Sequence, residues 1–327
     1  MKKTGNPTIP EEHSVEDALS SFKHLKGRPL QYEPAYPPIA MPMHLAIDAD
    51  AYIVAAKDPD ETCFLKVYSK DMMDDINLAA AIKASQQAGD CKLAPRVLDS
   101  SVEIGAILFE HLDSNWRPAL ASDLDDMDIR ANAIAAKRLW HENGKLGDGT
   151  SPMQVARKFM SRLEQGASDG TPIKKPNGYA TMVDWMNRVD DALSEAGIPM
   201  VALHGENAAS NVMIGSDKAV KLVDFDRACI GDPMYDLGAF CLEFCQFDYQ
   251  LIEALEIYNG SFDEKLFNRC KLYMIVEDFL WGCWGKTSHY NSYRKEAIEF
   301  YKYGEVRFTR CLHHINSWDI DTTARRI

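Results

Sequence analysis

The stretch His204-Gly205-Glu206-Asn207-Ala208-Ala209-Ser210-Asn211, followed thirteen residues later by Asp224-Phe225-Asp226, decides the reading of this chain. Phosphoryl transfer asks a protein for a carboxylate that orients an attacking hydroxyl and for oxygen ligands that hold Mg²⁺ on the phosphates. A carboxylate and an Asn five residues apart on a loop, then an Asp closing the next hairpin, supply both. Short β-like pieces at Met200–Leu203, Val212–Ile214 and Ala219–Val223 alternate with turns around them, which places the polar groups on loops between strands.

Working outward, Ala51–Ala56 and Cys63–Tyr68 read as a hairpin joined by the turn Lys57-Asp58-Pro59-Asp60-Glu61. Asp71–Ala88 lacks Pro and Gly and ends at Gly89, which predicts a helix; Arg96–Leu98 and Gly105–Glu110 add two strands. Residues 1–45 are proline-rich, hold one helical candidate at Ser14–Lys26, and are expected to run over a surface. After His111-Leu112-Asp113 the pattern turns helical at Ser122–His141 and Tyr179–Ala196, with loops at Gly144–Ser151 and Gly166–Gly178, and then almost throughout Tyr235–Trp318. The expected organisation is an N-lobe, residues 1–112, and a helical C-lobe, residues 113–327.

Composition narrows the partners. The 327 residues are 46% hydrophobic and carry a net charge of −13, enough for a sizeable core and unfavourable for nucleic acid or an anionic membrane surface. No apolar stretch approaches the ~20 residues that span a bilayer, and no hydrophobic segment follows Lys2 and Lys3. The eight cysteines form no C-x-x-C pair and read as reduced thiols, which makes the cytoplasm the expected compartment. Cys241 and Cys245 are expected to pack.

Protein kinases carry H-x-D-x-x-x-x-N followed by D-F-G, an arrangement the central stretch resembles. The run from His204 through Gly231-Asp232-Pro233-Met234-Tyr235-Asp236-Leu237-Gly238 resembles the aminoglycoside phosphotransferase and choline kinase superfamily. Asp278-Phe279-Leu280-Trp281-Gly282-Cys283-Trp284-Gly285 and Tyr301-Lys302-Tyr303-Gly304-Glu305-Val306-Arg307-Phe308 resemble its choline/ethanolamine kinase branch. The likeness is specific over about residues 200–310 and architectural before them.

That resemblance implies an α+β, protein kinase-like two-lobe fold that uses ATP and Mg²⁺. It makes Glu206 the general base, Asn211 and Asp224 the metal ligands, and Lys66 the lysine that contacts ATP phosphates. Phe109–Leu112 becomes the adenine hinge, acting through backbone groups, with Glu110 and Leu112 as cofactor-binding positions. Asp236 would prop the catalytic loop, and His204 would be a packed, hydrogen-bonded loop residue. Trp281 and Trp284 would wall a cationic head group, which a tryptophan face attracts, and Glu243 could serve an amine end. Arg227 falls at an aromatic wall position of the choline pocket, and a guanidinium there attracts a carboxylate or phosphate.

Three departures stand out. Glu206 replaces Asp, and no glycine occurs between Gly27 and Gly89, so the phosphate-covering segment reads as the acidic Ile47-Asp48-Ala49-Asp50. The helix after Lys66 offers Asp74, Asp75 or Asn77 to pair with it, but no Glu. Blander readings run alongside. Trp281 and Trp284, three apart, suit a core; Tyr290, Tyr301 and Tyr303 suit packing; the acids at Asp123–Asp126 suit a helix start; and Arg227 could pair with Asp226 or Asp232. The expected function is an ATP- and Mg²⁺-dependent phosphotransferase acting on the hydroxyl of a choline- or ethanolamine-like amino alcohol. A sugar or aminoglycoside kinase on the same frame, and a non-catalytic nucleotide-binding protein, are the alternatives.

Overall fold

Burial alternates along Cys63–Val67, and Cys63, Leu65 and Val67 are buried on one face of this strand. The two-residue period of a strand puts Lys66 on the other face, which turns towards the rest of the chain. The computed structural model describes residues 1–36, 39–41, 44–147 and 150–327, with side chains described outside 36–46. In chain order its first part is β1 (Lys2–Lys3), α1 (Pro10–Ser21), β2 (Leu30–Tyr36), a small hairpin β3 (Ile39–Met41) and β4 (His44–Ala46), β5 (Ala49–Ala56), β6 (Glu61–Tyr68), α2 (Leu78–Asp90), β7 (Val97–Ser101) and β8 (Ala106–Glu110). Six of these strands form one antiparallel sheet in the order β1-β2-β5-β6-β8-β7.

The proline-rich start therefore does build core, contrary to expectation. β2 pairs with β5 from Leu30↔Ala56 to Tyr36↔Ala51, with Pro34 accommodated beside a register shift. α1 starts at Pro10, four residues before the predicted Ser14, because proline suits the first helical turn and Glu11 and Glu12 suit its positive end. It lays Val15, Ala18 and Leu19 on the outer sheet face against Val54, Leu65 and Leu108. Pro37, Pro38 and Pro42 lie outside the described residues. α2 begins at Leu78 instead of Asp71, since Asn77 caps it by accepting from the Ala80 N–H, and only a 3₁₀ turn, Met73–Asp75, precedes it.

The remainder is helical with small β pieces: β9 (Arg117–Pro118), α3 (Met127–Asn143), α4 (Pro152–Gln165), α5 (Tyr179–Glu195), β10 (Val201–Leu203), β11 (Val212–Ile214), β12 (Val220–Leu222), β13 (Cys229–Gly231), α6 (Pro233–Cys241), α7 (Asp248–Asn259), α8 (Glu264–Asn291), α9 (Phe300–Ser317) and α10 (Ile320–Arg325). Asp123 and Asp126 are helix-start residues, as read: Asp123 pairs with Arg117, and Asp126 caps α3. The central α8 is buried on every side from Asn268 to Ser288, with α4, α6 and α9 around it. The sheet docks on this helical mass through ion pairs of Asp71 with Arg294 (2.9 Å) and of Asp75 with Lys158 (3.1 Å) and Arg162.

Leu19 is 3% exposed and seals the outer sheet face. Leu19→Ala is expected to cost ~2–5 kcal/mol of stability, read as a lowered urea midpoint at unchanged slope.

Candidate active site

The loop of residues 204–211 leaves β10, and the buried acid Asp236 holds its first half from below. Asp236, on α6, accepts from the His204 N–H (2.7 Å) and Asn207 Nδ2 (3.3 Å), takes the Gly205 N–H at 3.0 Å, and meets His141 Nε2 at 3.0 Å. Burial opposes its charge, but His141 and Lys137 outweigh burial and hold the carboxyl well below its ordinary range. Gly205 sits at φ +80°, where a Cβ would stand 2.1 Å from the Arg227 carbonyl oxygen, so the turn requires glycine. His204 donates from Nε2 to the Val223 carbonyl (2.9 Å) and accepts at Nδ1 from Lys137 (3.3 Å). Burial and Lys137 push its pKa down to about 3, so the imidazole stays neutral, a loop fastener rather than an acid or base.

Above the loop, the β11–β12 hairpin runs into Asp224, a non-glycine residue at φ +69°. Its left-handed backbone is the local strain of this site. Asn211 ends the 3₁₀ turn Ala209–Asn211, and its carbonyl accepts from the Val223 N–H (3.0 Å), so both predicted metal ligands come to one place. Lys66 reaches across from β6 and donates to Asp224 Oδ1 and Asp226 Oδ2, each at 2.7 Å; Tyr68 donates to Asp226 Oδ1 (2.6 Å). Lys66 thus takes its partners from the hairpin. Asp75 is occupied by Arg162 and Lys158, and Asn77 by its helix cap. Burial favours neutral Lys66, but the two carboxylates win and raise its pKa well above normal. Asp226 is pushed up to about 7 by burial and by Asp224, while Lys66 keeps Asp224 ionised and below its ordinary value.

These groups line a cleft of about 230 Å³ between the sheet and the helical part. Ala51, Ile53, Met213 and Val223 make its apolar walls; Phe109, Glu110, His111 and Leu112 form one edge; Lys66, Asn211, Asp224 and Asp226 form the polar end. The Glu110 side chain turns to Arg96 (2.8 Å), and its N–H goes to the Arg96 carbonyl. The Leu112 N–H makes no hydrogen bond among the described residues.

Glu206 lies beyond this cleft, beside Arg227. Arg227 Nε is 2.9 Å from Glu206 Oε1, Nη2 is 3.7 Å from Asp48, and the guanidinium lies 4.5 Å over the Trp281 ring. These are charge contacts without hydrogen-bond geometry. Glu206 Oε1, Asp48 Oδ1, Arg227 Nε and Arg227 Nη2 are buried and make no hydrogen bond among the described residues. Burial raises the Glu206 pKa well above the usual range, assisted by Asp224, while Arg227 opposes the rise. Arg227 thus neither turns to solvent nor pairs with Asp226, and Asp232 belongs to Arg269.

Trp281 donates from Nε1 to Glu277 (2.9 Å). Trp284 is fully buried against Phe300 and Tyr303. Glu243 accepts the Ala209 N–H (2.9 Å) beneath the catalytic loop. Sequence reasoning passed over Asp226, Tyr68 and Asp48 as site residues. The first two carried a signal, one ending Asp-Phe-Asp and the other two residues from Lys66 on the same strand face. Asp48 carried none.

A lysine-bearing antiparallel sheet over a helical part, with the loop acid, Asn and hairpin Asp between them, defines a kinase-like phosphotransferase fold. The model of the phosphotransferase enzyme family (APH) matches residues 46–273, and the chain belongs to that family. Among solved structures it is similar to a choline/ethanolamine kinase family protein from Mesorhizobium loti, with TM-score 0.75 and 18% identity, covering 98% of this chain and 99% of that one. It is also similar to the choline kinase LicA from Streptococcus pneumoniae, with TM-score 0.71 and 18% identity, covering 94% and 99%. A Plasmodium vivax ethanolamine kinase gives TM-score 0.68 and 16% identity, covering 86% of this chain and 82% of that one. At these identities the likeness is one of fold. No curated protein sequence matches the chain significantly.

Asp236→Asn should remove about 3–5 kcal/mol at pH 7, since it leaves buried donors facing an amide. The folded pKa of Asp236 is depressed, so its stabilisation is present above the unfolded value near 4 and fades as pH falls below it. Chemical denaturation from pH 7 down to pH 3 should show the gap between wild type and variant narrowing below about pH 4. A gap that stays constant would exclude an ionised Asp236 as the support.

Proposed function

We propose that the chain is an ATP- and Mg²⁺-dependent phosphotransferase that phosphorylates the hydroxyl of a small amino alcohol related to choline or ethanolamine. What carries the reading is the set of four unsatisfied buried atoms on Glu206, Asp48 and Arg227, next to a cleft that Asp48 itself lines with Lys66, Asn211 and Asp224. Buried polar atoms are ordinarily satisfied, so this cluster calls for a polar ligand, and the base sits within it.

The apolar walls suit a purine, and the free Leu112 N–H is a donor for its edge. Lys66 would exchange one carboxylate for a phosphate oxygen. Asp224 and Asn211 offer hard oxygen donors of the kind Mg²⁺ takes, and the ion would neutralise phosphate charge when bound. Glu206 orients the acceptor hydroxyl and takes its proton as the oxygen bonds to the γ-phosphorus, while the bond from that phosphorus to the bridging oxygen breaks and ADP leaves with the electron pair. The raised affinity of the Glu206 carboxylate for a proton suits that task.

The acceptor end is unlike a simple cation box. Arg227 already lies on the Trp281 face, so a quaternary ammonium meets a fixed positive charge. The guanidinium donors suit a carboxylate or phosphate, and Asp48 and Glu206 suit an ammonium or hydroxyl. The preferred alcohol therefore carries an anionic group or is a primary amine.

An ADP-release screen over amino alcohols, hydroxy-amino acids, sugars and aminoglycosides tests this reading. Asp224→Ala should abolish Mg²⁺-dependent turnover, Glu206→Ala should lower it by about 10²-fold or more, and Glu206→Asp should keep measurable activity. Sustained turnover by the Asp224 variant would sink the metal site. For specificity, kcat/KM for choline, ethanolamine and a hydroxy-amino acid is compared in wild type and Arg227→Tyr. Choline as the best wild-type substrate, or a ranking that Arg227→Tyr leaves unchanged, would overturn the acceptor assignment.

A further inference from the structure

Lys137, on α3, is 2% exposed. Its ammonium donates to Asn207 Oδ1 (2.8 Å) and to His204 Nδ1 (3.3 Å), and lies 5.3 Å from the Phe240 ring centre. No carboxylate stands within ion-pair distance of it among the described residues. Burying an ammonium costs several kcal/mol, and a methionine would fill the same space without that cost. The charge is spent on two residues of the catalytic loop.

We infer that Lys137 is a positioning residue for the Glu206 carboxylate, an inference that rests on the phosphotransfer reading above. Asp236 grips the loop before the base, at the backbone N–H groups of His204 and Gly205. After the base both groups meet Asn207, Lys137 at its Oδ1 (2.8 Å) and Asp236, at longer range, at its Nδ2 (3.3 Å), so Glu206 is bracketed on both sides. The same ammonium fixes the His204 tautomer, whose Nε2–H holds the Val223 carbonyl next to Asp224. Base and metal-ligand hairpin are therefore set by one group. Glutamate is one methylene longer than aspartate, so its backbone must sit farther from the reacting atoms for the carboxylate to arrive in the same place. The Lys137–Asn207 tie is a contact that holds the backbone back. A misplacement of about 1 Å can cost ~10²-fold in rate.

The test is a cycle of K137M and E206D, read by steady-state ADP release and by crystal structures of the same four proteins. With Glu206 present, K137M should lower kcat by ~10²-fold and leave KM for nucleotide and acceptor within about threefold, because Lys137 touches neither. In the E206D background the same change should alter kcat by less than about threefold, since the shorter carboxylate does not depend on that tie. Equal losses in both backgrounds, or an unchanged kcat, overturn the inference. If K137M does not fold, N207A, which removes the Lys137 tie together with the longer Asp236 contact, is held to the same outcomes. A wild type that releases no ADP with any acceptor removes the phosphotransfer reading instead. The structures then decide the positioning alone: a Glu206 carboxylate displaced relative to Asp224 in K137M supports it, and an unmoved one refutes it.

Discussion

Everything chemical in this chain hangs on one carboxylate that never meets solvent. Asp236 has 0% exposure, and the donors around it come from the loop it supports and from α3. A buried acid with a full set of donors stays ionised, and an ionised acid fixes donor directions more tightly than a neutral group. The loop can therefore turn sharply at Gly205 and still present Glu206 to one side only. His141 passes the constraint outward, because its second nitrogen meets the Tyr258 hydroxyl at 2.8 Å. The support thus runs from the half-buried surface of α7 through α3 to the loop that carries Glu206.

The second constraint is electrostatic and crosses between the two parts of the fold. Lys66 belongs to the sheet and its two carboxylates to the hairpin. This contact neutralises the polar end of the cleft, where two adjacent acids would otherwise repel each other. It also explains the split between them, with Asp224 ionised and Asp226 holding its proton up to about pH 7. Asp71 and Asp75 add ion pairs to the helical part on another side of the sheet, so the cleft is bounded by charge contacts as well as by the chain crossing after β8.

Much of this was legible because the chemistry is local in sequence. Glu206, Asn211 and Asp224 sit within one loop and one hairpin; the short spacing brings Asn211 and Asp224 to one cleft, with Glu206 just beyond it beside Arg227. The β5–β6 hairpin was legible from two short strand-like runs joined by clear turn residues. What stayed hidden depended on distant partners or on turn residues read too literally. β2 carries Pro34 and looks like surface chain, yet pairing with β5 makes it a sheet strand. α4 lies between two loop sequences, and its signal is short: Ser151 and Gln154 form a capping box around Pro152 in the first turn. Lys137 reads as an ordinary helical lysine until Asn207 and His204 are found beneath it, seventy and sixty-seven residues away in sequence.

The departures from the kinase pattern explain one another when taken together. A phosphate-covering segment with Asp48 in place of glycine brings a buried negative charge towards a site that handles phosphates, which is unfavourable alone. Arg227 stands between Asp48 and Glu206 and offsets both. The guanidinium in turn needs a flat, electron-rich surface once buried, and Trp281 provides it at 4.5 Å. An aromatic residue at position 227 would leave two acids facing each other without a cation. The acid at 48, the arginine at 227 and the tryptophan at 281 are therefore one arrangement, held together by charge.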